Sequence, residues 1–137
     1  MPHRARALVV VAVAFLAALL SAPLAGAVVP TTTRVDVSST GIQASANAEF
    51  PVVSQNGRWT AFQSTANNLV TGDTKGFQDV FVHDAKTGQT IRIQNGTTEP
   101  DGASGNPSIS ADGRLIAFES RAKNLVTTTS TSSQVYL

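Results

Sequence analysis

A chain of 137 residues and formal net charge +1 has room for one modest domain. The absence of cysteine excludes a disulfide framework, thiolate metal sites, a thiol nucleophile and a lipid-modified cysteine behind a leader. Without Arg4 and Arg6, which lie in a segment expected to be removed, eight basic residues face nine acidic ones, leaving no electrostatic footprint for nucleic acid or an anionic membrane.

Residues 1–27 have the three-part layout of a secretory signal. His3, Arg4 and Arg6 make a basic start, and Ala7 to Leu20 is an unbroken apolar run of fourteen residues. Ser21 and Pro23 then break the helix, and Ala25-Gly26-Ala27 supplies the small residues a signal peptidase needs. Cleavage between Ala27 and Val28 is expected, and with it a secreted or periplasmic location. An uncleaved anchor needs about 20 apolar residues, and this run reaches that length only if stretched past Pro23 to Val29. The Ala-rich, Arg-containing leader has a bacterial look.

Behind the leader, Thr, Ser, Gly, Asn and Val dominate and aromatics are few, which favours an all-β chain. Asn56-Gly57 is a two-residue turn signal, since Gly takes positive φ freely and Asn tolerates it. It predicts a hairpin of 50–54 with 58–64. Lys86-Thr87-Gly88-Gln89 predicts a second turn, joining strands 79–84 and 89–94. Asn95-Gly96-Thr97 matches a glycosylation sequon and is read as a turn. Asp112-Gly113 predicts another hairpin, 106–110 with 114–120, and Thr127 to Ser133 is a polar low-complexity loop.

These elements repeat. Positions 51–71 and 107–127 align at an offset of 56 with 12 of 21 residues identical. Val80-Phe81-Val82 matches Val135-Tyr136-Leu137 at offset 55, and Arg34-Val35 matches Arg92-Ile93 at offset 58. In the best strand both faces are apolar, Leu115 and Ala117 on one and Ile116 and Phe118 on the other. Two-faced strands in short sheets imply that each sheet is sandwiched between neighbours.

The phrase Pro107-Ser108-Ile109-Ser110-Ala111-Asp112-Gly113-Arg114, followed by an Ala-Phe strand, resembles the TolB-like, WD-type β-propeller repeat of bacterial exported proteins. So does the stretch from Asn68-Leu69-Val70 to Asp79-Val80-Phe81-Val82. The resemblance covers nearly all of 32–137 and implies an all-β fold of four-stranded antiparallel propeller blades, forming an incomplete propeller. On that pattern 33–38 is an outermost strand, 50–94 a full blade, and 106–137 three strands of the next. Two blades do not close a ring. Either the chain is a truncated gene product, or copies form a homo-oligomer in which each strand 33–38 completes a neighbour's blade.

Three places invite a chemical reading. The loop from Gly72 to Asp79 resembles a calcium loop, with Asp73 and Asp79 as candidate metal ligands. Calcium wants about six to eight oxygens, against two carboxylates and one hydroxyl here, and Lys75 brings a competing cation. Backbone-bonding loop acids are the expected role, with calcium the weaker alternative. His83-Asp84 suggests a triad, but no Gly-x-Ser-x-Gly elbow accompanies it, and no catalytic or cofactor-binding residue is expected. Trp59 aligns with Leu115 and is expected in packing between blades rather than in a sugar-binding platform.

The expected function is therefore that of an exported, non-enzymatic binding scaffold for a protein, peptide or glycan, with no membrane contact once the leader is cut. The alternatives are the truncated N-terminal propeller of a serine peptidase or other hydrolase, and a gene fragment with no function of its own.

Overall fold

The computed structural model describes residues 31–127 and 132–137. The leader, its cleavage point at Ala27–Val28 and most of the 127–133 run lie outside the described residues. Among the described residues there is no helix, and the fold is all-β.

Four strands make the first sheet: β1 (Ala48–Val53), β2 (Trp59–Ser64), β3 (Asp79–Asp84) and β4 (Gln89–Arg92). They follow one another as an antiparallel meander in the order β1-β2-β3-β4. A second, three-stranded sheet repeats the arrangement with β5 (Ser104–Ile109), β6 (Ile116–Ser120) and β7 (Gln134–Tyr136), in the order β5-β6-β7. The sheets are open, and both belong to the unit Thr33–Leu137.

The two sheets agree in side-chain detail. In the first hairpin the Ser54 hydroxyl donates to Asn56 Oδ1 at 2.8 Å and accepts from the Trp59 N–H, while Asn56 Oδ1 also accepts from the Arg58 N–H. In the other hairpin, Ser110, Asp112, Arg114 and Leu115 make the same three bonds. Gly57 and Gly113 close these turns at φ +70° and +76°, a region other residues enter only with strain. Two short side chains per turn thus each absorb a backbone donor.

Each leading strand also carries a bulge at the same place. The register slips between Glu49 and Val52 in β1 and between Gly105 and Ser108 in β5, and the residues before the prolines, Phe50 and Asn106, take φ +50° and +52°. Pro51 and Pro107 have no N–H to give the ladder, and the bulge steps over them. Pairing therefore resumes upstream, at Ala48–Glu49 and Ser104–Gly105, earlier than the expected strand starts at 50 and 106.

The core of the first sheet gathers Ala44, Phe62, Ala66, Leu69 and Phe81. Phe62 and Phe81 are cross-strand partners with centroids 5.8 Å apart, and the matching pair Phe118 and Tyr136 stacks at 5.5 Å. Each fully buried Phe is worth about 2–3 kcal/mol through removal of its ring from water.

The sheets stack face against face, with β5 lying over β2 and β3. The Ser104 N–H donates to Gln78 O at 2.7 Å, the Asn106 N–H to Gln63 Oε1 at 2.9 Å, and the Gln55 N–H to Ala111 O at 3.0 Å. Approach is close: a Cβ on Gly105 would come within 2.6 Å of Gln63 Oε1, so that the glutamine side chain would have to move.

Residues 33–38 depart from expectation. They form no strand, and only Val37 pairs, in an isolated bridge with Gln43. The Ala44 N–H donates to Asp36 O, the Thr90 hydroxyl to Val37 O, and the Ser39 hydroxyl bridges the Thr90 N–H and C=O. The segment is thereby folded onto β4 of its own sheet, and lending it to a neighbour would sacrifice these bonds. Nor does the match of Arg34-Val35 with Arg92-Ile93 extend to structure, since Arg34 lies outside the sheets on an exposed side chain while Arg92 ends β4 and is buried.

Candidate functional site

Strand β4 is inverted relative to a usual sheet strand: Ile91 faces water, while Thr90 and Arg92 point inward. The reason is the ring of acceptors around Arg92, whose side chain is 2 % exposed. Its Nη1 lies 3.3 Å from Asp73 Oδ1, 3.3 Å from Asp79 Oδ2 and 3.4 Å from Glu99 Oε1. Nη2 donates to Gly72 O at 3.2 Å and Nε to Gln94 Oε1 at 3.0 Å. The guanidinium thus stands beside both expected loop acids.

Three carboxylates around one cation cannot all be equally comfortable. Burial pushes Asp79 up from 3.8 to about 6 against the pull of Arg92, and the neighbouring Asp73 charge adds to the rise. Its Oδ1 is buried without a hydrogen-bond partner. Asp73 is also raised, chiefly by burial. Glu99 behaves oppositely: burial pulls it up, but the Lys75 and Thr74 N–H groups, the Thr74 hydroxyl and Arg92 outweigh that and hold it down at about 2. The Lys75 ammonium bonds to Glu99 O at 3.0 Å, so the lysine is drawn onto the backbone of the segment leading into β5.

This arrangement is a latch. It ties the 72–79 loop to β4 and to the lead-in of the second sheet through Glu99. Among the described residues no group of three or more His, Cys, Asp or Glu side chains is placed to hold a metal ion. Asp73 and Asp79 are brought together around an arginine rather than around an open cation position. Sequence reasoning singled out the two acids and missed Arg92 and Glu99.

His83 and Asp84 are neighbours on β3 and are used separately. The Thr90 hydroxyl gives its hydrogen to Val37 O, so at 2.9 Å His83 Nδ1 is the donor to Thr90 Oγ1. Asp84 accepts from Arg58 Nε and Nη2, both at 2.8 Å, and from the Lys86 N–H and Thr87 hydroxyl. These bonds, led by that of Arg58, hold its carboxyl well below the usual range. Histidine and aspartate here close a turn and a sheet edge, and neither orients the other.

Trp59 is half-buried over the second hairpin, with the Arg58 guanidinium 4.6 Å from its ring centre. A Cβ on Gly113 would lie 2.2 Å from Trp59 Cδ1, so the indole rests directly on that turn. Asn95-Gly96-Thr97 sits in a turn closed by the Thr98 N–H and Asn95 O at 3.0 Å. No helix among the described residues is long and apolar enough to cross a membrane. Comparison with protein-family models, with curated proteins and with solved structures gives no match to this chain.

Proposed function

We propose that the chain is an exported, non-enzymatic scaffold of β-propeller-type repeats that binds a protein, peptide or glycan. The observation that carries this reading is how the two sheets spend their polar residues. In the first sheet Ser54 and Asn56 close a turn, Asn68 clamps a loop and acids neutralise Arg58 and Arg92; in the second Ser110 and Asp112 close the matching turn and Asn124 clamps the matching loop, and several positions where the copies differ face water or the neighbouring sheet. Glu49 against Gly105, Phe50 against Asn106 and Trp59 against Leu115 are such positions. A constant frame with variable surface positions suits recognition. The leader supplies the address.

The test uses the protein secreted from an expression host with its own leader, titrated calorimetrically with a panel of cell-wall glycans and peptides. Ester and amide reporter substrates are assayed in parallel. Saturable binding without turnover supports the scaffold. Turnover of a reporter by the purified protein would contradict it.

A further inference from the structure

The tripeptide Gln-Asn-Gly occurs twice, as Gln55-Asn56-Gly57 and as Gln94-Asn95-Gly96. Asparagine before glycine is chemically vulnerable, because a following residue without a side chain hinders least the attack of its own backbone nitrogen on the asparagine amide. The fold treats the two copies differently. The Gly57 N–H donates to Ser54 O at 2.9 Å, and Asn56 Oδ1 is held by the Ser54 hydroxyl at 2.8 Å and the Arg58 N–H at 3.0 Å. Nucleophile and electrophile are both tied into the turn between β1 and β2.

At the second copy neither atom is tied. The Gly96 N–H meets no acceptor among the described residues; the glycine is bonded through its carbonyl, by Gln94 Nε2 at 2.9 Å. Asn95 is exposed, and its Oδ1 accepts no hydrogen bond among the described residues. Its Nδ2 reaches Asn124 O at 3.4 Å, beyond ordinary hydrogen-bond length. The bond that closes this turn, from the Thr98 N–H to Asn95 O at 3.0 Å, leaves both reacting atoms out.

We propose that Asn95 is a site of spontaneous deamidation, and that the reaction loosens the connection between the two sheets. Gly96 N bonds to Asn95 Cγ as the Cγ–Nδ2 bond breaks, and the amide leaves as ammonia with the proton that Gly96 N gives up. The resulting succinimide takes up one water. Opening at one carbonyl yields aspartate; opening at the other yields isoaspartate, in which the main chain runs through the former side chain. Asn95 lies between β4 and β5, upstream of Glu99 of the latch. Asn124 clamps that connection, donating to Glu99 O at 2.7 Å and accepting from the Asp101 N–H at 3.1 Å. A carboxylate at position 95 removes the donor that faces Asn124 O and sets negative charge against that oxygen. Isoaspartate also lengthens the main chain inside a turn that Thr98 closes on Asn95. Both changes weaken the hold of the second sheet's lead-in.

Ageing of the secreted chain at mildly alkaline pH, followed by proteolysis and mass mapping, tests the proposal. In the folded protein Asn95 converts more than about tenfold faster than Asn56, the factor by which one or two hydrogen bonds to be broken slow ring closure at Asn56. In urea the two convert at similar rates, since their tripeptides are the same. A methyltransferase specific for isoaspartate labels the peptide that carries position 95. Aged protein melts below fresh protein. Asn95→Gln, whose longer side chain must close a larger and slower ring, melts alike fresh and aged. Equal rates at both asparagines in the folded chain, or an Asn95 that stays intact, would overturn the assignment. Fully converted protein that melts with the fresh protein would overturn the loosening of the connection.

Discussion

At the scale of single residues, equal sequence positions carry unequal loads. Gly57 and Gly113 close identical turns at positive φ, but only Gly113 lies under Trp59. Gly57→Ala should cost about 1–2 kcal/mol from backbone strain alone. Gly113→Ala should cost about 2–4 kcal/mol, because the added methyl also displaces the indole. Trp59→Ala should remove the excess in the double variant, a non-additivity that urea melts of the four proteins would measure. Asp79 carries a different load. Its carboxyl titrates near 6 in the folded chain against an ordinary 3.8, so as pH rises through that interval the unfolded chain ionises first and folding weakens. Glu99, held at about 2 against 4.5, acts in the opposite sense, losing its stabilising effect as pH falls through that lower range. Asp79→Asn should therefore remove the part of the stability loss that develops between 3.8 and about 6. Melting temperatures across that range, variant against wild type, check it; parallel curves would contradict the assignment.

At the scale of elements, the turns and β3 were legible, and the connections between them were not. Asn-Gly and Asp-Gly mark their hairpins because the required backbone is local, and β3 spans 79–84 as the Val-Phe-Val run predicts. Asn68 and Asn124 stood in the repeated block with no evident role. Each proves to clamp a distant strand of backbone. Asn68 accepts from the Ser45 N–H at 2.8 Å and donates to Gln43 O at 2.8 Å. Asn124 accepts from the Asp101 N–H at 3.1 Å and donates to Glu99 O at 2.7 Å. Such a role depends on which chain passes alongside, which no local pattern encodes. Asn68→Ala and Asn124→Ala should each cost about 1–3 kcal/mol, and Asn→Asp, which keeps the acceptor, should cost less; denaturant titration would check the order. The segment 33–38 misled for the converse reason. The resemblance and the match of Arg34-Val35 with Arg92-Ile93 implied an outermost strand there, but the Asp36 and Val37 carbonyls are taken by Ala44 and Thr90.

At the scale of the whole molecule, the described residues form two sheets of one design joined by a face contact and a charged latch. The latch was hidden because Arg92 meets acids spread along the chain, and an arginine on a short strand ordinarily faces water. Its visible trace was the reversed polarity of β4, with Ile91 outside. Arg92→Met should cost about 3–5 kcal/mol, since it leaves buried carboxylates without their counter-charge, and calorimetric melting at neutral pH would record the loss. The face contact matters more, because the scaffold reading depends on it. Trp59 is the only tryptophan, so its indole protons are identifiable in a proton NMR spectrum. Stacking predicts a strong nuclear Overhauser effect between Trp59 Hδ1 and the Gly113 α-protons, retained at the lowest workable protein concentration. An indole whose cross-peaks are confined to its own hairpin would show that the two sheets do not stack.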